Sequence, residues 1–243
     1  TSYNNFVVDT KKWSDMKGFI NSMHNDGVRV IFWGTSMINT DNPDYEMVKN
    51  NNWCITNGLG IPRSLAWWHG EGCLLDYWNP DALAWWHSQL DNILDLGADG
   101  FKCDATDPYM LEYELTGGAK AYNNQSISYR DYADAYYSDF FDYTNLKRNN
   151  EGLIMSRPVD CLVDGFPKVC WPYSPTRVVV SGWVGDDDPT FNGIRVCATK
   201  VIWSAWLGYP GYGCDIGGYR GEYGNGTPKK HQFIRSTQLN AFL

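Results

Sequence analysis

The sequence has no long apolar run: no stretch approaches the ~20 consecutive apolar residues that a membrane-spanning helix needs, so no such span is expected within these residues. No basic run exceeds two or three residues, and the electrostatic footprint of a nucleic-acid-binding surface is therefore missing. There is no Cys-x-x-Cys pair, and the 4 histidines lie far from one another, which argues against a zinc centre. Neither a signal peptide, an internal repeat nor a low-complexity linker is visible. The chain begins at Thr1 without Met and stops abruptly at Leu243, and it reads as a segment of a longer protein.

What is present points to one folded domain over 1–243. A chain of 243 residues with 43% apolar content can bury a sizeable core. The net charge of −8 speaks mainly to solubility. Twelve Trp and 16 Tyr are many. Aromatic side chains fill cores, but their flat faces also pack against the C–H faces of sugars. The 7 cysteines, at 54, 73, 103, 161, 170, 197 and 214, suit buried free thiols with one or two disulfides. Asn124-Gln125-Ser126 and Asn225-Gly226-Thr227 match the N-glycosylation triplet and favour a secretory route.

Strands and helices alternate along the chain, which predicts an α/β fold with parallel strands. Helical spacing covers 13–26, with Trp13, Met16, Phe19, Ile20 and Met23 on one face, and a buried strand is expected over 28–33. Asn79-Pro80-Asp81 opens a helix to about Leu96. A short strand, 101–103, stops at Asp104; a helix with an aromatic face spans 131–147, and strands are expected over 152–156 and 177–180. Residues 192–206 read as a helix with Ile194, Ala198, Val201, Ile202 and Ala205 on its apolar stripe, and a last helix starts near Lys229. Three strands run into polar residues at their C-terminal ends, where (β/α)8 barrels place their chemistry.

Two acidic clusters stand at such ends. The first holds Asp104 and Asp107; the second is Asp186-Asp187-Asp188. The plain alternatives are a capping residue for the first and a solvated loop or a calcium site for the second. Adjacent carboxylates repel one another, and that favours keeping a proton on one of them, as a general acid requires. Two carboxylates from different strand ends form the glycosidase pattern. Arg157 follows the third strand, where it can hydrogen-bond a sugar hydroxyl. Asp215, between Gly213 and Gly217-Gly218, stands where a further strand would end.

Taken in order, these segments resemble glycoside hydrolase family 31, which holds α-glucosidases, α-xylosidases, α-galactosidases and transglycosidases. The resemblance rests on Asp76-Tyr77-Trp78-Asn79-Pro80 with Trp85-Trp86, Gly100-Phe101-Lys102-Cys103-Asp104, Ser156-Arg157, Trp183-Val184-Gly185-Asp186 and Asp215-Ile216-Gly217-Gly218-Tyr219. It implies an α/β fold, an incomplete (β/α)8 TIM barrel containing roughly strands 3 to 7. It implies Asp104 as nucleophile and Asp186 as general acid/base of a retaining α-glycosidase, whose two carboxyl groups sit roughly 5–5.5 Å apart. Arg157, Trp183, Asp215, Asp76 and Trp33 become substrate-binding candidates, with Trp67 and Trp68 as further stacking surfaces. Asp107 stands in for the family's usual Glu, and Asp187 stands where many members have Asn. No metal or cofactor is implied. The partner is an α-glycoside or oligosaccharide, and the N- and C-terminal parts of the parent lie outside the chain. Transglycosylation or elimination at the same site, and a non-catalytic carbohydrate-binding barrel, are the alternatives.

Overall fold

The structure is a computed structural model that describes residues 3–104, 118–157, 159–160, 171–172, 174–220 and 227–243. It divides into two compact units, Thr1–Ile154 and Met155–Leu243.

The first unit runs α1 (Met16–Asn25), β1 (Ile31–Gly34), β2 (Met37–Asn39), α2 (Tyr45–Asn50), β3 (Leu65–Trp67), β4 (Gly70–Leu74), α3 (Pro80–Leu94), β5 (Gly100–Cys103), β6 (Ala119–Ala121), β7 (Gln125–Ile127), α4 (Tyr129–Lys147) and the start of β8 (Leu153–Ser156). β1 lies parallel to β5, pairing Ile31 with Gly100 through to Gly34 with Cys103. The start of β8 meets the start of β5, where the Leu153 N–H donates to Asp99 O at 3.0 Å. Gly100 sits so close to this crossing that a Cβ there would lie 1.7 Å from Leu153 O. A smaller antiparallel sheet, β2-β4-β3, is fastened by the disulfide Cys54–Cys73.

The helices start where the sequence provides caps. Asn79 accepts from the Asp81 and Ala82 N–H groups, and Pro80 occupies the first turn of α3, where no donor is needed. Ser128 and Asp131 form a capping box, so α4 starts at Tyr129, two residues before the expected 131. Each helix turns one face inward. Ala82, Trp86, Leu90, Ile93 and Leu94 are buried on α3, and Tyr132, Tyr136, Tyr137 and Phe140 on α4. Phe140 meets Phe101 of β5 edge-on at 5.2 Å and Trp86 at 6.1 Å. Burying a ring of this size contributes about 1.5–3 kcal/mol.

The second unit holds the end of β8, then β9 (Val159–Asp160), β10 (Trp171–Pro172), β11 (Ser181–Trp183), α5 (Phe191–Trp206), β12 (Tyr212–Gly213) and α6 (Lys230–Asn240). β9 and β10 form a short antiparallel pair. β11 pairs in parallel with β8 on one side and with β12 on the other. β1, β5, β8, β11 and β12 are therefore the parallel strands; α-helices lie between β1 and β5, β5 and β8, and β11 and β12, whereas among the described residues β9, β10 and a 3-10 turn stand between β8 and β11.

Three sequence expectations need correction. The strand expected over 28–33 begins at Ile31, because Val28 still closes α1, its N–H donating to Met23 O at 2.8 Å. The strand expected over 177–180 is a 3-10 turn, Thr176–Val178, behind Pro175; the strand starts at Ser181. On α5 the buried face is Gly193, Cys197, Lys200 and Ser204, whereas Ile202 of the expected apolar stripe is 67% exposed. The face that packs is the one with small residues, which lets the helix approach its neighbours closely.

Candidate active site

In the first unit the site is built at the C-terminal ends of β1 and β5. Asp104 follows β5 directly, and its N–H donates to Gly34 O at 2.9 Å, extending the β1–β5 ladder by one bond. The carboxylate is half-buried, and its Oδ2 accepts from Trp33 Nε1 at 2.9 Å. Trp33 therefore does more than offer a ring face: it orients Asp104. From behind, the single Tyr136 hydroxyl proton is shared between Asp104 O at 3.1 Å and Gly34 O at 3.3 Å. Burial holds the Tyr136 hydroxyl well above its ordinary pKa, so it stays a proton donor to these carbonyls. The neighbouring Cys103 thiol is likewise pushed up by burial.

Further rings gather around Trp33. Trp33 and Trp67 are stacked at 6.4 Å with 15° between their planes, and Tyr3 meets them edge-on at 5.4 and 5.5 Å. Trp67 is oriented by donating to Asn39 Oδ1 at 2.8 Å, while Trp68 is 69% exposed. Asp76 is only 2% exposed. Its Oδ1 accepts from the Trp78 N–H at 3.0 Å. Burial raises its pKa, and hydrogen bonds from the Trp78, Tyr122 and Asn79 backbones pull it back down. Asp76 holds together the turn that leads into α3.

In the second unit, Trp183 ends β11 at 6% exposure and the chain turns through Gly185 to a half-buried Asp186. Gly185 has φ +92°, and a Cβ there would lie 2.3 Å from the Arg157 guanidinium carbon. Glycine is thus required twice, for the backbone and for the guanidinium packed against it. Asp187 points inward at 7% exposure. Lys200 Nζ lies 3.5 Å from one of its oxygens and also donates to Val184 O at 2.9 Å; the Cys197 thiol donates to the other oxygen at 3.0 Å. The Cys197 pKa is raised by its hydrogen bond with Cys214, by burial and by the Asp187 charge, so it remains a donor. The expected extra charge beside Asp186 is therefore matched by a buried ammonium.

The Asp215 loop is tied to the same place. Tyr219 N–H donates to Asp187 O at 2.8 Å, and Gly218 N–H to Asp215 O at 3.0 Å. α6 clasps the loop from outside: Ser236 Oγ accepts from Gly217 N–H at 2.9 Å, and Asn240 Oδ1 from Cys214 N–H at 3.3 Å. Arg157, Trp183, Asp186 and Asp215 accordingly share one connected set of loops. Asp107 lies outside the described residues. Among the described residues no group of three or more His, Cys, Asp or Glu side chains could hold a metal ion. Sequence reasoning missed Tyr136, Lys200 and Cys197 as supports. The signals available were the aromatic face of the 131–147 helix for Tyr136 and, for the other two, a Lys and a Cys on the small-residue face of the 192–206 helix.

Parallel strands alternating with helices, with carboxylates and rings at the strand ends, define the class as an α/β domain of barrel type. The model of the glycosyl hydrolases family 31 TIM-barrel domain matches residues 1–243, and the chain belongs to this family. It is 24% identical to an isomaltosyltransferase of Sporosarcina globispora over 99% of the chain and 21% of that protein. It is 20% identical to an α-xylosidase of Emericella nidulans over 89% of the chain and 26% of that protein. The chain thus spans about a fifth to a quarter of the length of these relatives. Among solved structures, a family 31 sulfoquinovosidase from E. rectale in complex with an aza-sugar inhibitor superimposes with a TM-score of 0.76 at 17% identity, covering 98% of this chain and 34% of that one. A cycloalternan-forming enzyme from Listeria monocytogenes in complex with a pentasaccharide substrate gives 0.69 at 22% identity, covering 93% and 20%. These similarities show the fold, a TIM-barrel domain.

Proposed function

We propose that the full-length protein is a retaining α-glycosidase of α-glucosidase-like specificity, with Asp104 as nucleophile and Asp186 as general acid/base. The observation that carries this reading is the Trp33–Asp104 hydrogen bond at the end of a parallel strand: a ring that stacks with Trp67 orients a half-buried carboxylate. In the first step Asp104 attacks the anomeric carbon while Asp186 protonates the departing oxygen. In the second, Asp186 takes a proton from water, which attacks the glycosyl-enzyme with net retention. Arg157, Asp215, Trp183 and Trp33 hold the sugar, Asp107 supports the nucleophile loop, and Asp76 acts through the turn it organises. No step calls for a metal or cofactor.

Asp104→Asn in the full-length protein should abolish turnover of nitrophenyl α-glycosides, and a fluoroglycoside trap should label Asp104. Retained turnover, or labelling of a different residue, sinks the assignment. A second reading, transfer of the glycosyl group to a sugar rather than to water, is favoured by the similarity to an isomaltosyltransferase and to a cycloalternan-forming enzyme. Product analysis separates the two, because hydrolysis yields free monosaccharide and transfer yields longer saccharides.

A further inference from the structure

The triplet Asn124-Gln125-Ser126 stands at the tip of the β6–β7 hairpin. The link between these strands is a single 3-10 turn, Tyr122–Asn124, in which Asn123 and Asn124 have φ of 55° and 61°. Asparagine is among the few residues that adopt this conformation readily, so the turn itself accounts for an Asn at 124, but not for Ser126. Asn124 is exposed, and it borders an open depression of about 420 Å³ beside Trp53 and Asp81, which leaves room around its amide. Ser126 is exposed as well, opposite Lys120 in the hairpin register, with Lys120 Nζ donating to its Oγ at 2.6 Å.

An independent observation concerns redox environment. Lys120 and Thr56 exchange backbone hydrogen bonds of 2.9 Å, two residues from Cys54, which is joined to Cys73 by a disulfide. Stable disulfides belong to oxidising compartments, and N-linked sugars are attached to proteins on that same route. An exposed triplet, room around its amide and a disulfide in the same unit therefore coincide.

We infer that Asn124 carries an N-linked oligosaccharide. In the transfer, Asn124 Nδ2 attacks the anomeric carbon of a polyprenyl-pyrophosphate-linked oligosaccharide. An N–C bond forms, the C–O bond to pyrophosphate breaks, polyprenyl pyrophosphate leaves, and the amide gives up one proton to a base of the transferring enzyme. The glycan then projects from the hairpin tip over the depression beside Trp53. This inference does not depend on the catalytic assignments.

The test is made on the full-length protein isolated from cells that make it naturally. Enzymatic deglycosylation in ¹⁸O-water converts an occupied Asn into labelled Asp, which peptide mapping locates. Label at position 124 is expected; an unlabelled Asn124 overturns the inference, whether or not Asn225 is labelled. In the full-length protein secreted from a eukaryotic host, Asn124→Gln and Ser126→Ala should each remove the mass of one glycan, and Ser126→Thr should retain it. Unchanged mass in the first two variants also overturns it. Turnover of Asn124→Gln should match that of the unaltered protein.

Discussion

At the scale of single residues, position matters more than identity. An Asp after a short strand is ordinarily a cap, and Asp104 stood out in the sequence only because Asp186, Arg157 and Asp215 followed it in a recognisable order. Its working environment was not legible. Trp33 lies 71 positions away in the chain, and its hydrogen bond to Asp104 exists only because β1 and β5 pair in parallel. Gly185 is the complementary case. Sequence marked it as part of Trp183-Val184-Gly185-Asp186, but its positive φ and the guanidinium packed against it became visible only in three dimensions. Gly185→Ala should cost about 1–3 kcal/mol in backbone strain and displace both Arg157 and Asp186. Since misplacing a reacting group by 1 Å can cost roughly 10²-fold, kcat/KM of the full-length variant should fall by about that factor with fold retained by circular dichroism. Unchanged kinetics would show that the Arg157 contact is dispensable.

At the scale of elements, α5 shows how pattern reading fails. Its apolar residues suggested one buried stripe, yet Gly193, Cys197, Lys200 and Ser204 face inward. Hydrophobicity alone does not predict this, because the inward face serves a polar purpose. Lys200 and Cys197 hold Asp187 beneath the Asp186 loop. Removing one partner of a buried ion pair leaves the other charge without compensation and costs about 3–5 kcal/mol. Lys200→Met should therefore lower unfolding stability by roughly that amount in denaturant titrations. Lys200→Met combined with Asp187→Asn removes both charges and should recover most of the loss. Purely additive losses would show that the pair does not couple. α3 and α4 are the opposite case: their caps, Asn79 and Ser128 with Asp131, are local in sequence, and the helix starts follow directly from them.

At the scale of the whole molecule, the two units draw on different means of stabilisation. The first has a dense aromatic core around Trp86, Phe101 and Phe140 together with the Cys54–Cys73 cross-link, which spans 19 positions. Closing a loop of this length stabilises a fold by about 3 kcal/mol, so replacing both cysteines by Ala should lower unfolding stability by about that much, measured by guanidinium denaturation. No change would mean that the bond is not formed in solution. Pairing among the 7 cysteines could not be read from sequence, because every pairing is compatible with the spacing until β4 brings Cys73 to the segment that carries Cys54. The sequence by itself determined the α/β alternation, the helix caps, the family and the candidate carboxylates, since these depend on local periodicity, capping chemistry and residue order. The tertiary structure alone decided that Trp33 orients Asp104, that Asp187 is paired with Lys200, that Asp76 serves a turn and that Asn124 stands exposed at a hairpin tip. Each of these depends on strand register or on the facing of a helix, and so on long-range contacts that no local window of sequence contains.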